Sequence, residues 1–284
     1  MLQLPSASSR LPSRVQAYLE AIAGSRGAGG LVSLIVFGSA AIGGWTEIIS
    51  DVDLILIVPD GASELDTQML RAEVERIEML HGLRDSSAHG QNALERFVDK
   101  VTANVRSFFI CSRGALLSGN IGRILGLRPA QARFVDRAVL ANIVSSAITV
   151  WGEDLLPLVP VAPIQRIDVL KAFFGLSSQA LLLTAIYPFI PGGTRYAMGT
   201  LKRSIHNCYF CYELRRAPLD EEAAFFERRL GSSREITELL ALRRESRASF
   251  AFVALCLPAL ARLHLRTFMD NRFPRSVQRG ELPG

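Results

Sequence analysis

The chain has 284 residues, 49% hydrophobic and 21% charged, enough apolar material for one large or two ordinary cores and too much for an intrinsically disordered chain. A net charge of +5, spread over small clusters such as Lys202-Arg203, Arg215-Arg216, Arg228-Arg229 and Arg243-Arg244, does not require a nucleic-acid partner. Four cysteines, at 111, 208, 211 and 256, supply no disulfide framework and imply a reducing, cytoplasmic setting. The opening MLQLPSASSRLPSR lacks the apolar centre of a signal peptide.

In chain order, Val15, Tyr18, Leu19 and Ile22 predict an amphipathic helix over residues 12 to 25, ended by the glycine-rich GSRGAGG. Strands are expected at 31 to 37 and 52 to 58. A helix at 60 to 81 comes next, with Leu65, Met69, Leu70, Val74, Ile77 and Leu80 near a 3.6-residue period. Residues 82 to 91 read as a polar loop and possible lid, 93 to 101 as a helix, and 106 to 111 as a third strand around Phe108, Phe109 and Ile110. A helix is expected at 132 to 150, and PLVPVAP after it reads as a linker.

Beyond the linker the period is helical, over 164 to 187, 194 to 216, 219 to 230, 233 to 246 and 248 to 268, predicting a four- or five-helix bundle. Phe173 to Ile190 has no charge, but Ser177, Ser178, Gln179 and Thr184 dilute it and Pro188 and Pro191 end it. It reads as a buried bundle helix rather than a membrane span. Cys208 and Cys211 have CxxC spacing without a second pair, so they are assigned to core packing and not to zinc. The expected division is 1–156 for an α/β part, 157–270 for the bundle and 271–284 for a loose basic tail, an α+β chain in all.

The stretch LIVFGSAAIGGWTEIISDVDLILIV, from Leu34 to Val58, carries the chemistry. Strand residues alternate faces, so Asp51 and Asp53 share one side while Val52 and Leu54 go to the core. Two adjacent carboxylates repel unless a cation lies between them, and a hard divalent ion such as Mg²⁺ binds carboxylate and phosphate oxygens together. Gly38 at a strand end lets backbone approach a phosphate, and Ser39 adds a hydroxyl donor. Thr46, Glu47 and Ser50 lie in the connection that returns the chain to the second strand.

A hydrophobic-Gly-Ser element, eleven intervening residues and then Asp-hydrophobic-Asp-hydrophobic resemble the signature of DNA polymerase β superfamily nucleotidyltransferases, especially the aminoglycoside-type and stand-alone bacterial members. The resemblance implies a small mixed-sheet nucleotidyltransferase domain followed by a helical bundle. It implies transfer of a nucleoside monophosphate, AMP from ATP, onto a hydroxyl of a small-molecule or macromolecular acceptor, with Mg²⁺ as cofactor and pyrophosphate as leaving group. Asp51 and Asp53 would be catalytic metal ligands, Gly38 and Ser39 would bind the β and γ phosphates, and Ser50 would be a secondary contact. Lys202, with Arg203 and Arg195 beside it, matches a basic residue on an early bundle helix that reaches the phosphates. A membrane is not among the expected partners, and nucleic acid is not favoured.

One element of the pattern is absent. Catalysing members carry a third acid on a later strand, where VRSFFIC offers Arg106 and Ser107. Asp85, Glu95 and Asp99 upstream, and Glu153 and Asp154 at the linker, are alternative sources. The four histidines show no metal spacing, and His206 reads as a helix-surface residue. Without a third acid the rival reading is a degenerate nucleotidyltransferase that binds NTP as a regulatory or interaction protein. A template-independent polymerase or tRNA-modifying enzyme comes third.

Overall fold

The computed structural model describes residues 11–25, 30–45, 52–83, 98, 107–127, 132, 135, 137–190, 192–231, 233–245 and 247–270. Two compact units divide the chain: Met1–Gly90, Arg106–Ala132 and Ser146–Val161 form the first, and Gln91–Val105, Arg133–Ser145 and Ala162–Gly284 the second. Among the expected features, the 93 to 101 helix apart from buried Val98, most of the 82 to 91 loop, and the tail lie outside the described residues.

In the first unit, helix α1 (Ser13–Ala23) buries Val15, Tyr18, Leu19 and Ile22, the face its period predicts. Strand β1 (Ser33–Phe37) leads through a one-turn helix α2 (Gly38–Ala41) toward strand β2 (Asp53–Val58). Helix α3 (Glu64–Leu80) starts at a reciprocal capping box between Ser63 and Asp66. Strand β3 (Phe108–Ser112), short helices α4 (Arg113–Leu117) and α5 (Ile121–Ile124), and strand β4 (Ile148–Gly152) complete it.

The sheet order is β3-β2-β1-β4, with β1 antiparallel to both neighbours and β2 parallel to β3. Leu34, Val36, Leu54, Leu56 and Phe108 share one core with α1 and α3 residues. Ile35, Ile55 and Ile57, on the opposite face by alternation, are buried as well. The expected helix over 132 to 150 is corrected: helix α6 spans Arg137–Ser146 and the chain then turns into β4. Ile148, Thr149, Val150 and Trp151 favour a strand once β1 offers an edge, and Val36↔Ile148 to Ser33↔Gly152 is the resulting register.

The second unit holds α6 up to Ser145, then α7 (Arg166–Ile186), α8 (Gly193–Glu213), α9 (Leu219–Leu230), α10 (Arg234–Arg244) and α11 (Phe250–Met269), close to the predicted bounds. Pro218 precedes α9, and Asp220, Glu221 and Glu222 fill its first turn where the helix dipole favours anions. Leu201, Ile205 and Tyr209 of α8 belong to one core with Phe226, Leu239, Phe252 and Leu260.

Helix α7 departs from the expectation of a buried helix, because its apolar residues run all round while only part of its surface is buried among the described residues. Ile167, Phe174 and Leu181 are exposed. Residues 166–189 and 250–269 are each long and apolar enough to cross a membrane, and 33% and 44% of their most apolar windows are buried within the protein.

Candidate nucleotide and metal site

The chain leaves β1 at Phe37, which pairs with Asp53 at the start of β2, so the turn after Phe37 lies beside Asp53. That turn begins with Gly38 at φ +71°, a left-handed conformation that glycine adopts without strain. A Cβ placed on Gly38 would come within 2.1 Å of Asp53 Oδ2. The glycine is therefore required for its backbone angle and for the space that the carboxylate occupies. Asp53 and Ser39 are half-buried, whereas Gly38 and Ala40 are buried. The Ser39 carbonyl accepts the Gly44 N–H at 2.9 Å, which closes the turn after β1.

The structure thus brings Gly38, Ser39 and Asp53 together at one end of the β1–β2 pair. Asp51 and Ser50, with Thr46 and Glu47, lie outside the described residues. Lys202 belongs to the second unit, half-buried on α8, where its charge bears on His206 and Glu222. Arg203 beside it turns back to bond the Gly199 carbonyl at 3.3 Å and Gln179 Oε1 at 3.1 Å.

Carboxylate and hydroxyl oxygens are the donors a hard divalent cation prefers. Asp53 meets that requirement, because the gap left by Gly38 holds its carboxylate at the strand end instead of in the core. Among the described residues no three His, Cys, Asp or Glu side chains are grouped to hold a metal.

At the expected place of the third acid stands Ser107. Leu54 pairs with Phe108 across the parallel ladder and its N–H donates to the Ser107 carbonyl at 2.8 Å, so Ser107 is level with Asp53. The Ser107 hydroxyl donates to Glu78 Oε1, and the Tyr18 hydroxyl donates to the same oxygen at 3.3 Å. Glu78 is 2% exposed. Burial first, and then the Glu78 charge, push the Tyr18 phenol far above its ordinary value and keep it a neutral donor.

Sequence reasoning missed Glu78. The available signal was its place four residues after Val74 and next to Ile77, on the stripe that also buries Leu70. Asp85, Glu95, Asp99 and Arg106 lie outside the described residues. Glu153 and Asp154 are placed away from the site. Glu153 comes directly after Gly152, which pairs with Ser33 at the opposite end of β1 from Gly38. There Glu153 binds Arg113 at 2.8 Å and Asp154 accepts from Thr149 at 2.7 Å.

His206 is corrected from helix surface to interior. It is 6% exposed and its Nδ1 meets Glu222 Oε2, on a side chain with no exposure at all. Burial, then the charges of Arg216, Lys202 and Arg243, hold its proton affinity well below the ordinary value. All four cysteines are free and buried, and Cys208 and Cys211 pack in the helical cores.

Residues 20–100 match the family model described as nucleotidyltransferase domain. Among solved structures, the chain is similar to spectinomycin adenyltransferase AAD(9) from Enterococcus faecialis, crystallised with ATP and spectinomycin. The match has 12% identity, covers 89% of this chain and 96% of that one, and has a TM-score of 0.49. No curated protein matches the chain.

Proposed function

We propose, for a chain whose residues 20–100 match a nucleotidyltransferase domain model, a Mg²⁺-dependent enzyme that moves AMP from ATP onto a hydroxyl acceptor and releases pyrophosphate. The observation that carries this reading is the approach of Asp53 Oδ2 to Gly38, 2.1 Å from where any side chain would begin. A carboxylate and a side-chain-free backbone turn then share one strand end, as a metal-bound triphosphate requires.

In this reading Asp53, joined by Asp51, holds Mg²⁺, which when bound neutralises the triphosphate and stabilises charge developing on the leaving group. The Gly38 backbone and the Ser39 hydroxyl bind phosphate oxygens, with Ser50 as a secondary contact. The chain's contribution is orientation and charge complementarity: the acceptor oxygen is held in line with the α phosphorus and opposite the pyrophosphate. The acceptor is a small molecule or a macromolecule bearing a hydroxyl, and buried free cysteines support a reducing cytoplasm as the setting.

Incubation with α-labelled ATP, Mg²⁺ and cell extract tests the proposal. Asp53→Asn and Asp51→Asn are each expected to lower label transfer by about 10²–10³-fold, the scale for losing one group that stabilises transition-state charge, while thermal unfolding is unchanged. Full transfer in either variant would sink the assignment. The rival reading, an NTP-binding regulatory protein, draws on Ser107 standing where an acid is expected. Saturable ATP binding by the wild type with no labelled product would favour it.

A further inference from the structure

Within the second unit, helices α6, α7, α8 and α11 meet around a cavity of about 10 Å³, whose lining includes Asp168, Ala172, Asn207, Cys208, Cys211 and His264. Asp168, Cys208, Cys211 and His264 are each at most 3% exposed, and Asn207 is half-buried at its edge. The volume is about the smallest that holds one water molecule, so anything larger than a water is kept out.

Two of the buried groups on this cavity are acceptors. His264 Nδ1 lies 3.2 Å from the Val169 carbonyl, and because a carbonyl only accepts, that bond assigns the ring proton to Nδ1. Burial lowers the proton affinity of the ring to about 4, which leaves Nε2 as a lone pair at neutral pH. Nε2 is buried and has no hydrogen-bond partner among the described residues. The Asp168 carboxylate takes the Gln165 N–H at 2.8 Å and the Arg137 N–H at 3.4 Å, which use two of the roughly four acceptor sites of a carboxylate.

A buried acceptor without a donor is costly, and native interiors supply one from the protein or from water. The Cys208 and Cys211 thiols are weak donors with one proton each. Among the described residues no three His, Cys, Asp or Glu side chains are grouped to hold a metal. Water fits the volume and donates twice. We infer that this cavity is a binding site for a single water molecule, which donates one O–H to His264 Nε2 and the other to the Asp168 carboxylate. The Asn207 side-chain amide offers an N–H for its oxygen, giving the three bonds usual for buried water. The water ties α11 to α7 where α8 packs against both.

Magnetic resonance on the full-length protein in solution tests this. In isotope-labelled wild type, His264 should carry its proton on Nδ1, and its ring protons should cross-relax with a water that tumbles with the protein. The ¹⁷O relaxation dispersion of the solvent should fall by the amplitude of one long-lived water in His264→Phe, which keeps a ring but has no acceptor. That signal comes from water oxygen alone, so an exchanging thiol proton does not contribute to it. Ala172→Val adds two methyl groups beside the cavity and should remove the same water, and it serves in place of His264→Phe if a melting curve shows that variant to be unfolded.

The inference is overturned if the wild-type ring protons show no cross-relaxation with water, if the His264 proton is found on Nε2, or if the folded variant keeps the wild-type dispersion. One equivalent of zinc in the purified wild type, lost in Cys208→Ser, would overturn it in another way, by showing that the cavity takes a metal ion in place of water.

Discussion

Asp53 and Glu222 are both carboxylates set against tight surroundings, and they mark two different uses of an acid. Asp53 stands half-buried at a strand end where a glycine has been kept clear for it. Glu222 is wholly enclosed, touching the His206 ring, taking the Ala217 N–H at 3.2 Å and lying 3.8 Å from Arg216 Nε. Arg216 in turn bonds Asn142 at 2.9 Å. The enclosed group has every neighbour it needs within the protein, so its energetics belong to folding. The half-buried one keeps a side toward solvent, where a cation and a phosphate can reach it. Accessibility, more than the number of polar partners, separates the candidate site from the structural cluster.

The largest expected effect is on the enclosed side. Glu222→Ala leaves His206, Arg216 and the Ala217 N–H without their buried partner and should cost about 3–5 kcal/mol of stability, the scale for breaking a buried ion pair. Denaturant unfolding measures it, and a loss below about 1 kcal/mol would show that water or rearranged neighbours take the carboxylate's place.

Gly38→Ala comes next and acts on the open side. Its Cβ must displace the Asp53 carboxylate or shift the turn, and φ +71° is strained for alanine, about 1–3 kcal/mol by the usual cost of sparsely populated backbone. Transfer should fall with it as Asp53 moves. Wild-type transfer in Gly38→Ala would mean that the close approach has no role in the reaction.

How much of this was legible in the sequence differs between the same two regions. Gly38, Ser39 and the Asp53 strand could be read because their constraints are local: a glycine for a turn, and alternation for a strand. The bundle helices were legible for the same reason, since Leu201, Ile205 and Tyr209 repeat at helical spacing within one segment. Strand β4 was missed because only Ala147 separates it from α6, and its identity depends on an edge offered by β1 more than a hundred residues earlier. Glu78 was missed because charged side chains default to solvent. Its hydroxyl partners, Tyr18 and Ser107, lie 60 and 29 residues away in sequence. His206 was placed on the surface because Glu222, which encloses it, comes from a different helix.

The enclosed acid also gives a pH signature. Burial pushes Glu222 up from its ordinary 4.5 to about 7, so the fold favours its protonated form. That contribution is fully present below about 4.5 and is lost as pH rises through about 7. His206, held below its ordinary value, works in the opposite sense: its contribution is present above 6.5 and lost as pH falls. Glu222→Gln removes the first effect and keeps the second. The melting temperature of Glu222→Gln relative to wild type should therefore climb between pH 4.5 and 7. A flat difference would mean that Arg216 and its neighbours keep the carboxylate ionised throughout.

The smallest expected effect separates stability from chemistry within the first unit. Ser63 Oγ accepts the Asp66 N–H at 3.1 Å, and Asp66 Oδ2 accepts the Ser63 N–H at 3.2 Å. Ser63→Ala should cost about 1 kcal/mol, the ordinary value of a helix N-cap. Glu78 sits fifteen residues further along α3, roughly 22 Å at 1.5 Å per residue, so fraying of the first turn does not reach it. The Ser63→Ala protein should unfold at a lower denaturant concentration and yet release pyrophosphate at the wild-type kcat. If kcat falls together with stability, then loosening α3 anywhere suffices to impair the site.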